Sequence, residues 1–187
     1  MTDKEKLLSL LKTLSYKEGT FTLKSGRESD FYIDCRLTSF HPEGSFLCGV
    51  EMHEIIQTHF PDAVAVAGVP TGAIPLATSV TNRSYQIGKR PLPQIGIRKD
   101  AKAHGNDPGS LLINHKQFDE GAEVVLLEDV TTTGGSVLKA AAILEAAGFE
   151  VIGIIVLVDR QEGSRETIEH AGYDMEAVFT RKDVKGE

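Results

Sequence analysis

Glu128 and Asp129 stand side by side just before the run T-T-T-G-G-S, residues 131–136. Paired carboxylates accept hydrogen bonds from vicinal sugar hydroxyls, or reach a magnesium shell through water. Gly134 and Gly135 let the backbone curl so that several N–H groups point into one concavity, with Val130 leading into it. The hydroxyls of Thr131, Thr132, Thr133 and Ser136 add donors, and a helix starting here adds partial positive charge, so a phosphate monoester is the natural guest. Acid pair and turn together suit a phosphorylated sugar. An ordinary strand-to-helix turn with an acidic entrance is the plainer reading of the same residues, but the motif is more specific than that. A Walker loop is excluded because no lysine follows the second glycine directly, and the glycine spacing is wrong for a dinucleotide fingerprint.

The elements that must position these groups are legible around them. Val124–Leu127 is an apolar run bounded by charge, which predicts a strand buried on both faces, with the acidic pair where it surfaces. Val137, Leu138, Ala141, Ile143, Leu144 and Ala147 recur at helical spacing over 135–147, closed by Gly148. The same order of strand, Gly/Thr turn and helix occurs earlier: Val64–Ala67, then Gly68-Val69-Pro70-Thr71-Gly72, then a helix from about Ala73. That turn is either a second anion-holding geometry or a simple loop.

Three other clusters bear chemistry. In T-F-T-L-K-S-G-R-E-S-D-F-Y-I-D-C-R-L, residues 20–37, alternation around a Ser-Gly-Arg turn predicts a hairpin. Its Lys24, Arg27, Phe31 and Tyr32 are either a solvated face with a half-buried aromatic pair or a seat for a planar anion. In R-K-D-A-K-A-H-G, residues 98–105, the cations Arg98, Lys99, Lys102 and His104 precede Asn106-Asp107-Pro108-Gly109, which predicts a mobile loop. They are either a solvated charge run or an anion clamp. Arg160 follows the most apolar strand, Val151–Val158, where it either forks a carboxylate or pairs with Asp159 or a neighbour.

The remaining chain reads as scaffold. A leucine stripe over residues 2–14 follows a Thr2/Glu5 capping box, and a helix spans 43–60 after Pro42. Residues 81–93 read as polar and turn-rich, 94–97 and 111–121 as short strands with turns. A short helix over 164–171 and a strand at Met175–Phe179 precede a charged, frayed tail. His53 and His59 lie six residues apart and read as ordinary polar side chains.

Bulk properties bound the answer. With 187 residues the chain is one domain with a real core, and its net charge of −7 argues against nucleic-acid or anionic-membrane binding. No apolar run approaches the ~20 residues of a membrane span. Cys35 and Cys48 lack a C-x-x-C spacing, so a reduced, cytoplasmic setting is the expectation. Strands alternating with helices predict an α/β fold with a mainly parallel twisted sheet flanked by helices.

The acidic pair and Thr/Gly turn resemble the phosphoribosyl diphosphate (PRPP) loop of type I phosphoribosyltransferases, with Glu128 where that family usually has aspartate. L-K-S-G-R-x-S-x-F-Y and R-K-x-x-K-x-H-G are similar to the hood signature and catalytic loop of orotate phosphoribosyltransferases. The resemblance covers nearly the whole chain, 1–187, as one domain whose hood is formed by about 18–40. It implies transfer of phosphoribosyl from PRPP to orotate, giving orotidine monophosphate and pyrophosphate in pyrimidine biosynthesis. Thr131 to Ser136 would hold the 5-phosphate, Glu128 and Asp129 the ribose hydroxyls, and Thr71 and Gly72 the pyrophosphate. Lys24, Thr132 and Arg160 would orient orotate between Phe31 and Tyr32. Arg98, Lys99, Lys102 and His104 would close on the pyrophosphate with Mg2+, which is held through PRPP and water and not by direct protein ligands. Lys102, His104 and Asp129 would be the catalytic groups. The resemblance also implies a homodimer in which the 98–109 loop completes the neighbouring site.

Two other readings remain at this point: a phosphoribosyltransferase for another base, and a PRPP-sensing regulator that binds nucleic acid. Loss of one preorganised charge partner costs about a hundredfold in turnover. Lys102→Ala is therefore expected to lower kcat by about a hundredfold or more in steady-state assays; an unchanged rate would remove Lys102 from the chemistry.

Overall fold

The computed structural model describes residues 1–22, 28–88, 90–98 and 111–186. Its centre is a six-stranded sheet in the order β5-β4-β3-β6-β7-β8. The strands are β3 (Ala65–Gly68), β4 (Gln94–Ile97), β5 (Leu112–Ile113), β6 (Glu123–Thr131), β7 (Glu150–Asp159) and β8 (Met175–Thr180). All neighbours are parallel except β4 and β5, which pair antiparallel at the edge. β6 and β7 are apolar runs buried on both faces, as strands inside a covered parallel sheet must be.

Helices cover the sheet. α3 (Pro42–His59) packs on α4 (Ile74–Ile87), on α1 (Asp3–Leu10) and on β7, while α5 (Gly135–Ala146) packs on β6 and β7. Right-handed crossovers place α4, between β3 and β4, on one face. They place α5 and α6 (Ser164–His170) on the other. The strand order reverses between β3 and β6, so the chain leaves these neighbours in opposite directions and opens a crevice at their carboxyl ends.

A second, two-stranded sheet stands apart from the first. β1 (Tyr16–Thr22) pairs antiparallel with β2 (Glu28–Ile33), and α2 (Arg36–Ser39) leads from it into α3. The capping box at Thr2 and Glu5 starts α1, which continues as one π-type turn, Leu11–Ser15.

Four sequence expectations need correction. α4 runs on to Ile87 through a stretch that reads as turns, because its polar residues line one exposed side while Val80 and Ser84 are buried. The tail is not frayed: Thr180 and Asp183 form a second capping box that starts α7 (Arg181–Lys185). His53 is buried, and burial first, then Arg83, hold its imidazole below the usual value. β6 continues through the acidic pair to Thr131, so Glu128 does not surface.

α3 and α4 meet at Gly49, where an added Cβ would come within 2.6 Å of the Ser79 carbonyl oxygen. Backbone cannot yield there cheaply. Gly49→Ala is expected to destabilise the fold by about 1–3 kcal/mol through overpacking, read as a lower urea midpoint at unchanged m-value.

Candidate active site

β3 stops at Gly68, opposite Leu127, while β6 runs four residues further paired only with β7. The turn after β3 folds into the space this leaves. A Cβ on Gly72 would overlap the Asp129 carboxylate, so the absence of a side chain at Gly72 is what seats that carboxylate against the β3 turn. Thr71 is exposed beside it, and the Pro70–Thr71 peptide is cis.

Glu128 is 4% exposed. Its Oε2 accepts from Ser136 Oγ at 2.8 Å and its Oε1 from the Asp129 N–H at 3.2 Å. Burial, and then the hydrogen bond and negative charge of Asp129, push the Glu128 carboxyl well above the usual carboxylate range. The two carboxylates expected to act alike therefore differ. Asp129 is half-buried and faces the crevice, whereas Glu128 reaches back to the first turn of α5.

Beyond the pair the chain turns at Gly134, whose φ of 83° lies in the left-handed region that glycine adopts without strain. No side chain caps α5, so its first N–H groups are open to an anion. Thr132, Thr133, Gly135 and Ser136 are at least partly exposed around this turn. Thr131 is not: it is buried on the last position of β6, and its hydroxyl has no partner among the described residues. Thr131 cannot offer its side chain to a phosphate as the sequence suggested; its carbonyl instead accepts the Arg160 N–H.

That hydrogen bond places Arg160 beside the turn. Asp159 at the end of β7 pairs with Thr131, and Arg160 follows directly. Of the alternatives for Arg160, the structure shows the pairing with a neighbour, and that neighbour is Glu162 and not Asp159, whose Oδ1 accepts from the Gln161 N–H and from Ser164 Oγ. Arg160 Nε donates to Glu162 Oε1 at 2.9 Å, Nη2 donates to Ser29 Oγ at 3.0 Å, and the guanidinium lies 4.2 Å from the centre of the Phe31 ring. The hairpin is thus closed over the end of β7.

Phe31 and Tyr32 do not share a wall. Neighbours on a strand face opposite ways, and Phe31 is buried under Arg160 whereas Tyr32 is exposed and packs against Phe21, the two rings tilted by 39° with centroids 5.6 Å apart. Arg98 emerges from the end of β4, half-buried, its N–H bonded to the Leu111 carbonyl. Lys24, Arg27, Lys99, Lys102 and His104 lie outside the described residues.

Sequence reasoning missed three contributors. Ser29 stood inside the hairpin motif with no role assigned. Glu162 was visible only as a charge after Arg160. Arg181 was placed in a loose tail, yet its guanidinium lies 5.2 Å from the Phe31 ring. A capping box read at Thr180 and Asp183 would have put it at the end of β8.

Among the described residues no three His, Cys, Asp or Glu side chains converge as a metal cage. The acidic doublet alone suits a hard cation that completes its shell with substrate oxygens and water.

The Phosphoribosyl transferase domain family matches residues 45–175. The chain is 43% identical over 182 residues to the orotate phosphoribosyltransferase of Sorangium cellulosum (strain So ce56), covering 97% of this chain and 93% of that one. It superposes on the Mycobacterium tuberculosis H37Rv orotate phosphoribosyltransferase bound to Fe(III) dicitrate with a TM-score of 0.83 and 35% identity, covering 98% and 99% of the two chains. The same Mycobacterium enzyme in complex with PRPP gives a TM-score of 0.79 at 31% identity, again over 98% and 99%.

A carboxyl whose pKa is raised on folding stabilises the native state at low pH and loses that contribution as pH rises through its folded value. For Glu128 the window opens above the ordinary glutamate range and extends upward. Glu128→Gln, which mimics the protonated side chain, is expected to flatten the fall in Tm of the ligand-free protein between about pH 5 and pH 9. Thermal melts across that range check it; parallel curves for the two proteins would contradict it.

Proposed function

The chain belongs to the phosphoribosyl transferase domain family, and from that premise we propose that it transfers the phosphoribosyl group of PRPP to orotate, releasing orotidine 5'-monophosphate and pyrophosphate. One observation carries the choice of base. The acidic pair and phosphate turn on β6 and the arginine on β7 are adjacent at one sheet edge, joined by the bond from the Arg160 N–H to the Thr131 carbonyl. A sugar phosphate on the first and a carboxylated ring on the second are spanned by one nucleotide.

In this reading the exposed N–H groups at the start of α5, with Thr132, Thr133 and Ser136, hold the 5-phosphate. Asp129 accepts from the ribose hydroxyls, and Glu128 supports it while holding Ser136. Thr71 and Gly72 line the pyrophosphate side. Arg160 forks the orotate carboxylate over the Phe31 ring, and Lys24 is its partner in orienting the base. The departing diphosphate gathers negative charge as the anomeric carbon becomes cationic. Arg98, Lys99, Lys102 and His104 oppose that charge and exclude water, which would otherwise capture the ribosyl cation. Asp129 would hold Mg2+ only through water, alongside the PRPP oxygens, and the ion would supply further charge neutralisation.

The β1–β2 hairpin forms the hood of a single-domain enzyme. A second copy contributes the 98–109 loop, so the working unit is a homodimer. No helix among the described residues is long and apolar enough to cross a membrane. Cys35 and Cys48 are buried free thiols, which suits the reducing cytoplasm. The chain's negative balance disfavours nucleic acid as a partner.

The test is loss of orotate absorbance on addition of PRPP and Mg2+. Turnover is expected with orotate and none with uracil, adenine or hypoxanthine in its place. Turnover of an uncarboxylated base in preference to orotate would overturn the assignment.

A further inference from the structure

Arg160 is held more firmly than recognition of a carboxylate alone requires. Its side chain is 5% exposed and that of Glu162 is 12% exposed. Two of its five N–H donors are spent inside the chain, Nε on Glu162 and Nη2 on Ser29. Ser29 is itself oriented, because its hydroxyl donates to the Phe31 carbonyl at 2.7 Å and so turns a lone pair towards the guanidinium. The Phe31 ring fixes the third direction.

The backbone between Arg160 and Glu162 is bent to make this contact. Gln161 has a φ of 57°, a left-handed conformation that a side-chain-bearing residue adopts only under constraint. The constraint is the buried Asp159, which ties the Gln161 N–H at 2.8 Å and Ser164 Oγ at 2.9 Å. Gly163, at φ 94°, completes the reversal. The run D-R-Q-E-G is therefore a tight loop that folds the fourth side chain back onto the second.

We propose that Glu162 and Ser29 are positioning residues for substrate recognition: they clamp the Arg160 guanidinium in one plane so that its remaining donors meet the carboxylate of the incoming base. A free arginine side chain loses considerable rotamer freedom when it is ordered, and the clamp removes that loss from the binding step. Glu162 also offsets part of the guanidinium charge. Selection of the base then rests on the direction of the donors more than on net attraction, which favours a carboxylate fixed to a planar ring over a freely rotating one. The inference rests on the assignment of Arg160 to the carboxylate.

Steady-state kinetics with each substrate varied in turn test it. Glu162→Ala is expected to raise the orotate KM about tenfold, the loss of one charge-assisted hydrogen bond, with kcat within about twofold and the PRPP KM unchanged. Glu162→Gln, which keeps an acceptor for Nε, is expected to restore most of the affinity. Ser29→Ala leaves no buried charge unpaired, so its folding is secure where the Glu162→Ala protein fails to fold, and it is expected to show the same selective rise, about threefold. In an Arg160→Ala background, Glu162→Ala is expected to have no further effect. An unchanged orotate KM in both Glu162→Ala and Ser29→Ala overturns the clamp, as does an equal rise in both substrates' KM. If Arg160→Ala itself leaves the orotate KM unchanged, the carboxylate assignment fails, and the clamp fails with it. A rise with Arg160→Ala but not with the two clamp variants overturns the clamp alone.

Discussion

The structure depends on a mismatch in length between two neighbouring parallel strands. β3 ends opposite Leu127, and β6 continues to Thr131 with β7 as its only partner. Past Leu127, one edge of β6 therefore lacks a sheet neighbour. Backbone groups left in that condition inside a protein must find partners or face a ligand. The β3 turn, Gly72 above all, fills part of the gap against Asp129. What is left is a crevice whose floor is strand backbone and whose far wall is the uncapped start of α5. A longer β3 would have paired this edge and closed the site.

The same geometry accounts for the charge pattern. A carboxylate at the buried position 128 is costly unless it is protonated or well bonded. Here the Ser136 hydroxyl and the Asp129 N–H supply two hydrogen bonds, and burial beside Asp129 raises the pKa of the carboxyl. Cations stand at the other strand ends: Arg98 after β4, Arg160 after β7 and Arg181 after β8. A chain with a net charge of −7 thus gathers positive charge along one sheet edge, on both sides of a doublet that is partly neutralised.

Much of this was legible in the residue order, for identifiable reasons. Strands buried on both faces are continuous apolar runs, so β6, β7 and the short β3 could be read directly. The turn at 131–136 announced itself through glycine and threonine, whose chemistry is local. Properties set by contacts distant in sequence were not readable. Burial of Glu128 follows from the extra length of β6 and from Ser136, eight residues on. The opposite facing of Phe31 and Tyr32 follows from strand alternation, a local property that the chemistry of two adjacent rings does not reveal. Thr131 reads as one of four hydroxyl donors, but β6 ends on it and buries it. The Arg160 pairing with Ser29 spans 131 residues and carries no sequence periodicity.

That long-range pairing also explains how a small hairpin is kept over the crevice. β1 and β2 share no strand pairing with the main sheet and cannot draw stability from it. Phe31 attaches them from below, its ring meeting the guanidiniums of Arg160 and Arg181 at 4.2 and 5.2 Å, while Tyr16 of β1 packs on the same ring at 5.9 Å within the hairpin. From the side, Arg181 and Lys185 of α7 reach Asp30 at 3.2 and 2.9 Å. Asp30 is solvent-exposed, so these ion pairs are screened and individually weak. Phe31 and Ile33 of β2 join the apolar core of the sheet and anchor the hairpin at its base, whereas the other described positions of β2 are exposed or half-exposed. Opening the hairpin therefore costs far less than disturbing β6 or β7. The hairpin, more lightly held than the sheet, stands beside the end of β7 that carries Arg160.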